Sequence, residues 1–588
     1  MPSTLTYPGV YIEEIPSGVR TIIGVATSIT AFIGRALRGP TDDPVTINGF
    51  GDFERIFGGL WGESSLGYAV RDFYRNGGGQ AIIVRLFHTD DTPEAKQAKT
   101  SITVAGLNLE AASSGAWGEN LRVRVDTNVS EDVANSMNLT KADLFNLTIQ
   151  DVSPNGRIEQ FRNLTVEDKT RRIDKVLLAE SSLVRWQGAA SEPIEQWPNV
   201  DLSLPDIPEL EKKLADAKKA DPPNAEAIKT AEAELNTANA KLADGVTQAE
   251  QKLAAAKKAD PRVAEAITTA ETALQTAKAD RDTSNGLPLT AADFTGSGKE
   301  DAKQGLYALR KADLFNILCI PPHTLNGNIE FDLIASAAAY CEHRRAMLLV
   351  DPPSEWKDKD KAKAGVADLG TNSKNAALFF PRLRQPNPLR DNQIEDFAPC
   401  GAVAGVFART DTQRGVWKAP AGTDATLVGV PQLSVPLTDN ENGELNPLGI
   451  NCLRTMPAAG RVIWGARTLQ GDDRLASEWK YIPIRRLALF IEESLYRGTQ
   501  WVVFEPNDEP LWGQIRLNIG AFMHNLFRKG AFQGSTPRDA YFVKCDRETT
   551  PQVDVDSGIV NIVVGFAPLK PAEFVVIKLQ QMAGQIDV

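Results

Sequence analysis

The period of the apolar positions changes repeatedly along the chain, and each change marks an element. Phe50 to Phe57 reads as a short helix. Leu66 to Tyr74 reads as a second, with Leu66, Ala69, Val70 and Phe73 on one face and a stop at Asn76 and the glycines 77 to 79. Val25 to Gly34 reads as a buried strand, and Ala81 to Phe87 as a strand after the glycine run. Leu121 to Val125 alternates apolar with polar. Phe145 to Val152 and Ile158 to Leu164 flank Pro154-Asn155-Gly156, a hairpin signal in a polar, strand-rich region. Phe315 to Ile320, Ile329 to Arg344 and Ala346 to Val350 then read strand, helix, strand, the order of a βαβ unit.

Helical spacing dominates towards the C-terminus. Ile484 to Arg497 places Leu487, Phe490, Ile491 and Leu495 on one side. Asn507 and Asp508 can cap a helix with Pro510 in its first turn, and its body, Leu511 to Arg528, turns Trp512, Ile515, Ile519, Phe522, Met523 and Leu526 to a core before Gly530 stops it. Its opposite face carries Arg516, Asn518 and His524, with Arg528 and Lys529 at the end; cations there complement the helix dipole. Gly558 to Phe566 is nearly continuous Ile and Val, the pattern of a strand covered on both faces. A further strand, Phe574 to Leu579 with Val575, Val576 and Ile577, follows the Pro568 to Pro571 break. At the other terminus Val10, Tyr11, Ile12 and Ile15 form a β-favouring segment between Pro8-Gly9 and Pro16-Ser17-Gly18. A lone strand is unstable until it joins a sheet. This one is either an edge of its own domain or a strand given to a neighbour.

Residues 209–282 are of different material, Ala, Lys, Glu, Asp and Leu without aromatics. Copies offset by 39 positions repeat AKKADP, at Ala217 to Pro222 and Ala256 to Pro261, and AEAI, at Ala225 to Ile228 and Ala264 to Ile267. Asp-Pro ends one helix and starts the next, so each copy predicts an αα-hairpin, and the pair an antiparallel helical spike. Its charges nearly cancel. It reads as either a surface decoration or a receptor-binding or anchoring module.

Composition narrows the classes. Hydrophobic content of 42% and charged content of 24% describe an ordinary globular chain, and 588 residues correspond to about four domains. The net charge of -12, with basic residues scattered, argues against tracking nucleic-acid phosphates. Cys319, Cys341, Cys400, Cys452 and Cys545 are an odd, widely spaced set without C-x-x-C, which implies reduced packing thiols and synthesis in the cytosol. The opening MPSTLTYPGVYIEE has neither the basic start nor the apolar run of a signal peptide, and no stretch reaches about 18 apolar residues, so neither export by a cleaved signal nor membrane spanning is expected.

Candidate chemistry is sparse. TGSGKE at Thr295 to Glu300 lacks the first glycine of a phosphate loop and has Glu300 where a hydroxyl should bind Mg²⁺, so it reads as a plain loop. The glycines 77 to 79 precede a strand and read as a helix C-cap. Cys341 and His343 fall on different helix faces, and His323 lacks a paired ligand, so neither predicts a metal site. KADLFN occurs at both 141 and 311.

What recurs instead is a set of short phrases between Gly401 and Cys545. They are GVWKAP at 415, LNPLGIN at 445, VIWGARTL at 462, IPIRRL at 482 and FEPNDEPLW at 504. None sets a nucleophile beside a base. In this order, and with PGVYIEEIPSG at 8, TAFIGRALRGP at 30 and GAWGENLRVRV at 115, they resemble the sheath subunits of contractile phage tails and contractile injection systems. The resemblance covers roughly 1–125 and 300–588. It implies an α/β (α+β) multidomain chain: an exchange arm, 1–20; a middle mixed-sheet domain, 21–105 plus 300–480; a β-rich outer insertion, 106–299, bearing the 209–282 spike; and an inner, tube-proximal domain, 481–588, ending in an arm from 571. By the same resemblance Val10, Tyr11, Ile12 and Ile15, and Phe574, Val575, Val576, Ile577 and Leu579, would link subunits. Arg516, Asn518, His524, Arg528 and Lys529 would face the tube. The implied partners are further copies, an inner tube protein, and baseplate and tail-terminator proteins, with no cofactor, catalytic residue, nucleic acid or direct membrane insertion. Two other readings are an α/β enzyme, for which G-x-S-x-G, H-E-x-x-H and G-x-G-x-x-G are all missing, and a soluble helical-hairpin binding module, which leaves the phrases unexplained.

Overall fold

The computed structural model describes residues 20–89, 98–104, 107–153, 156–189 and 284–578. The arm segment from Val10 to Ile15, the 209–282 duplication, Pro154 and Asn155 of the hairpin, and Leu579 lie outside the described residues.

An eight-stranded sheet is drawn from both sides of the insertion. Its strands are β1 (Thr30–Gly34), β2 (Val45–Ile47), β3 (Ala81–Arg85), β4 (Ile317–Cys319), β5 (Met347–Val350), β6 (Ala376–Phe380), β7 (Ile450–Met456) and β8 (Gly460–Ile463). The spatial order is β8-β7-β6-β5-β4-β1-β3-β2. All pairings from β7 to β3 are parallel, and the edge strands β2 and β8 pair antiparallel. A parallel sheet needs cover on both faces, which is why β1, β3 and β6 are buried at every position. Ala31, Ile33, Ile82, Val84, Leu318 and Leu348 meet one core, with α3 (Phe331–His343) over it. Phe32, Ile83, Cys319, Leu349 and Phe379 meet another, beneath α1 (Phe50–Phe57), α2 (Leu66–Arg75) and α4 (Cys400–Arg414). Helices α2 and α4 touch backbone to backbone: a Cβ on Gly401 would lie 2.0 Å from the Ala69 carbonyl, and one on Gly405 2.4 Å from that of Phe73.

The predicted strand from Val25 begins only at Thr30. Before it, the Asn316 side chain takes the Ile29 N–H (3.0 Å) and donates to the Ala26 carbonyl (2.8 Å), replacing ladder partners with a side chain. The glycine run ends α2, with Gly77 at φ +105. Thr295 to Glu300 is not wholly a loop, because Lys299–Ala302 forms one helical turn after Gly298, whose φ of +79 reverses the chain.

The insertion forms two three-stranded antiparallel sheets around one core. One joins Ser101–Val104, Leu107–Ala111 and Val184–Ala189; the other joins Leu121–Asp126, Phe145–Asp151 and Ile158–Leu164. The expected hairpin pairs Thr148 with Gln160. Two arginines fasten this unit to the large sheet. Arg38 pairs with Asp151 at 2.7 Å, and the buried Arg85 donates to the carbonyls of Ala36, Gly39 and Ser114.

The C-terminal unit packs α5 (Ile482–Gly498) and α6 (Glu509–Arg528) against a two-stranded sheet, Tyr541–Lys544 with Val563–Phe566. The α6 start is as the sequence predicts: Asp508 accepts the Leu511 N–H at 3.0 Å and Pro510 fills the first turn. The run from Gly558 departs from expectation. Only Val563–Phe566 is a strand, and Ile559 and Val563 are 47% and 44% exposed. One face of the run packs on the C-terminal core, and among the described residues no second layer covers the other. Likewise, residues 571–578 have no ladder partner among the described residues.

Candidate assembly surface

The described N-terminal residues run along the C-terminal unit before they reach the sheet. The Arg20 N–H bonds Asn518 Oδ1 (3.0 Å), and its guanidinium lies 4.5 Å over the Trp501 ring. Ile22 is buried in the C-terminal core, and the Val25 N–H bonds Ser494 Oγ at 3.2 Å. Arg486 then donates to the Thr27 carbonyl while making a buried ion pair with Asp411 at 2.6 Å. Residues 20–27 are thus bonded to α5 and α6 at intervals, and Ile23 alone among their large apolar side chains stands 81% exposed.

The opposite chain end is fixed at Glu573. Both carboxylate oxygens accept from the buried Arg467 guanidinium, and Asn446 (2.7 Å) and Tyr481 (3.1 Å) complete the cage. Burial alone would raise the carboxyl pKa; the hydrogen bonds from Arg467 and Asn446 and the guanidinium charge outweigh it and hold the group below its ordinary value. Directly beyond, Phe574, Val575, Val576 and Ile577 are 75 to 81% exposed. Four consecutive apolar, β-favouring residues in water form an unusual patch. The two-stranded sheet nearby has exposed Phe542 and Val563 and only one internal ladder; such a pair is marginal until further strands join it.

The polar face expected on α6 is only partly there. His524, Arg528 and Lys529 are exposed, but Arg516 is half-buried and bonds Glu509 (2.7 Å) and the Cys545 carbonyl. Asn518 is buried, contrary to its placement on that face, because it serves as acceptor for the incoming Arg20 N–H. The Arg phrases are packing. Arg485 stacks 4.8 Å over Trp479 and bonds Asn375 and Glu492, and Arg486 is spent on Asp411 and Thr27.

All five cysteines are free and buried, and burial pushes their thiols up, Cys452 to about 12. Cys341 is buried in α3 while His343 faces out, and among the described residues no group of three His, Cys, Asp or Glu side chains could hold a metal. The carboxyl edge of the sheet holds a perturbed acid. Asp351 accepts the Cys400 N–H at 2.8 Å, its Oδ2 is inaccessible with no hydrogen-bond partner among the described residues, and burial pushes its pKa up to about 6. Among the described helices none is long and apolar enough to cross a membrane.

Residues 295–469 match the phage tail sheath protein central domain, and 476–581 match the phage tail sheath C-terminal domain. Over these residues the chain matches the contractile tail sheath family. Over 188 residues it is 26% identical to the tail sheath protein of Vibrio phage KVP40, a match that takes in 32% of this chain and 27% of that protein. The chain therefore spans about a quarter of that relative's length. The fold is shared with the helical sheath of the anti-feeding prophage in its contracted state (TM-score 0.51, 19% identity, 98% of this chain and 100% of that one). It is also shared with the sheath tail protein of Listeria innocua (TM-score 0.54, 13% identity, 93% and 96%). Within the sheath family match, the phrases of the sequence fall on buried arginine anchors, the α6 cap and the groove wall under residues 569–574.

Proposed function

We propose that the chain is a structural subunit that polymerises into a helical cylinder around an inner tube. Contraction by reorientation of rigid bodies would then drive the tube through a target envelope. The observation that carries this reading is the pair of anchored chain ends: each is fixed to the folded body, and the C-terminal one continues as four exposed β-favouring residues beside a sheet that wants strands. Backbone hydrogen bonds gained by strand addition are worth about 0.5–1.5 kcal/mol each, enough in number to tie neighbours while the bodies rotate. A head-to-tail contact that does not close generates a helix. The N-terminal segment Val10 to Ile15 is the second connector, and His524, Arg528 and Lys529 are the remaining candidates for the tube. No nucleotide is required, since the energy comes from burial in the contracted lattice.

In this reading the subunit is made in the bacterial cytoplasm as part of a phage tail or phage-like particle. Baseplate and terminator proteins cap the cylinder, and no catalysis is involved. The test is electron microscopy of the purified protein with and without tube partner. Hollow cylinders are expected from the intact chain, and folded but unpolymerised protein from chains lacking Met1 to Arg20 or truncated after Pro571. Normal cylinders from either shortened chain would overturn the exchange of arms. Removal of Glu209 to Asp282 is expected to leave assembly intact, as for a decoration; loss of cylinders would make the spike part of the machine.

A further inference from the structure

Between α5 and α6 the chain makes a turn that presents one aromatic ring to solvent. Phe504 is exposed over its whole surface and holds φ +71, a backbone region that disfavours bulky side chains, and Val503 beside it is 59% exposed. The turn is nevertheless fixed from both sides. The Glu505 N–H bonds the Val502 carbonyl (3.1 Å), and Asn507 donates to the Ile559 carbonyl (3.0 Å) while accepting the Trp512 indole N–H (2.9 Å). The ring is thus a preorganised knob, which binds without the cost of ordering a loose loop. Next to it, the exposed Glu505 carboxylate has no partner among the described residues.

A hollow of 390 Å³ lies where α4 ends. Ala419, Ala421 and Ala425 line it with small side chains, and Arg409, Arg414 and Lys418 set three cations against one acid, Asp424, among the described lining residues. Arg409 and Lys418 spend their hydrogen bonds on neutral carbonyls, those of Asn76, Thr426, Ala419 and Ala421, which leaves both charges unbalanced. Arg414 meets Asp424 at only 3.8 Å, with both side chains largely exposed, so that pair is weak. The negative pole of α4 offsets about half a charge. The hollow stays cationic. A cavity of about 150 Å³ suffices to hold a benzene ring, so this one has room for an aromatic side chain and a carboxylate beside it.

We infer that the hollow at the end of α4 receives Phe504 and Glu505 of a second copy of the chain. The inference rests on the sheath reading above and adds a contact between folded bodies, separate from the connectors at the chain ends. The ring would fill the alanine-lined part, and Glu505 would lie against Arg414 and Lys418. The ring is uncovered in its own chain, so the hollow it fits belongs to another copy. Knob and hollow are different patches of one surface. The contact is therefore head to tail and repeats from copy to copy instead of ending at a pair. It also gives a task to two of the recurrent phrases, since FEPNDEPLW supplies the knob and GVWKAP supplies Lys418 and Ala419.

All five native thiols are buried, so added cysteines can report the contact without disturbing the ring or the cations. Val503 and Gln413 are exposed beside the knob and on the hollow. Cylinders grown from an equal mixture of Val503→Cys and Gln413→Cys chains and treated with a short bismaleimide should yield linked pairs holding one of each. Chains carrying both substitutions should give a ladder of longer products. Absence of mixed pairs in well-formed cylinders, or linkage of the doubly substituted chain only to itself, overturns the inference. In a second arm, Phe504→Ala should cut cylinder yield at least tenfold with the melting temperature unchanged, and Phe504→Leu should recover most of it. Glu505→Arg and Arg414→Glu should each cut yield similarly, and their combination should restore it. Full yield from Phe504→Ala, or a loss confined to cylinders grown on a tube partner, would remove this contact and leave the sheath reading standing. If the unaltered chain builds no cylinders, both fall.

Discussion

Glu573 meets the Arg467 guanidinium through both carboxylate oxygens, at 2.7 and 2.8 Å, across 106 positions of sequence. Arg467 is buried and also bonds the Gly471 carbonyl and Asp473, so its charge has one exposed partner and one interior one. The pair joins the C-terminal segment to the stretch that follows β8 of the large sheet.

Glu573→Gln should therefore free the C-terminal segment. Leaving a buried cation short of its partner costs about 3–5 kcal/mol, less here because Asp473 stays. Faster cleavage after Phe574 by chymotrypsin is the readout. The native segment should behave the same way in acid: a carboxyl held below its ordinary 4.5 stabilises the fold fully above that value and loses its contribution as pH falls through its folded pKa.

Asp351 should act with the opposite sign. Its folded pKa of about 6 exceeds the ordinary 3.8, so the native state takes up a proton first and stability falls as pH rises between those values. At about 1.4 kcal/mol per pKa unit the contribution is at most about 3 kcal/mol. Asp351→Asn should flatten the difference between urea unfolding at pH 4 and at pH 7; an unchanged difference would show that the carboxyl is not the source.

Gly401→Ala tests the contact of α2 with α4. An added methyl meets the Ala69 carbonyl, which cannot swing aside, and overpacking of this kind costs about 1–3 kcal/mol or more. Gly443→Ala is the control, because nothing lies within 4 Å of its Cβ and alanine should raise helix stability by about 0.5–1 kcal/mol. Thermal unfolding of the two variants should shift in opposite directions.

Phe504 is fully exposed and sits at φ +71, a conformation that strains a bulky residue. Phe504→Gly should leave the melting temperature unchanged or raise stability by about 1 kcal/mol. A clear loss would mean that the ring packs within its own chain.

Local signals carried most of what the sequence revealed. The α1 bounds, the α2 stop at Asn76 and the Asp508 cap each depend on residues within one or two turns, and KADLFN makes the point twice: at 141 and at 311 it leads from a 3-10 turn towards a strand and buries its phenylalanine. Relationships over distance were hidden. Asn518 looks like surface on a helical wheel until the Arg20 backbone arrives from 498 positions away. Nothing couples Arg467 to Glu573 in the pattern except an acid set in an apolar run after Pro571. The Ile/Val run near Gly558 has the composition of a doubly covered strand, but cover depends on what packs above it, which a single chain does not supply.

Residues 20–27 lie bonded along α5 and α6, roughly as a strap is stitched along a beam. Such an attachment has a mechanical character. A pull on the chain at Arg20 directed along the helices loads the bonds to Asn518, Ser494 and Arg486 together, in shear, rather than peeling them one after another. The terminus is thereby suited to bear tension from outside the folded body, and the load passes into two helices before it reaches the first strand of the sheet.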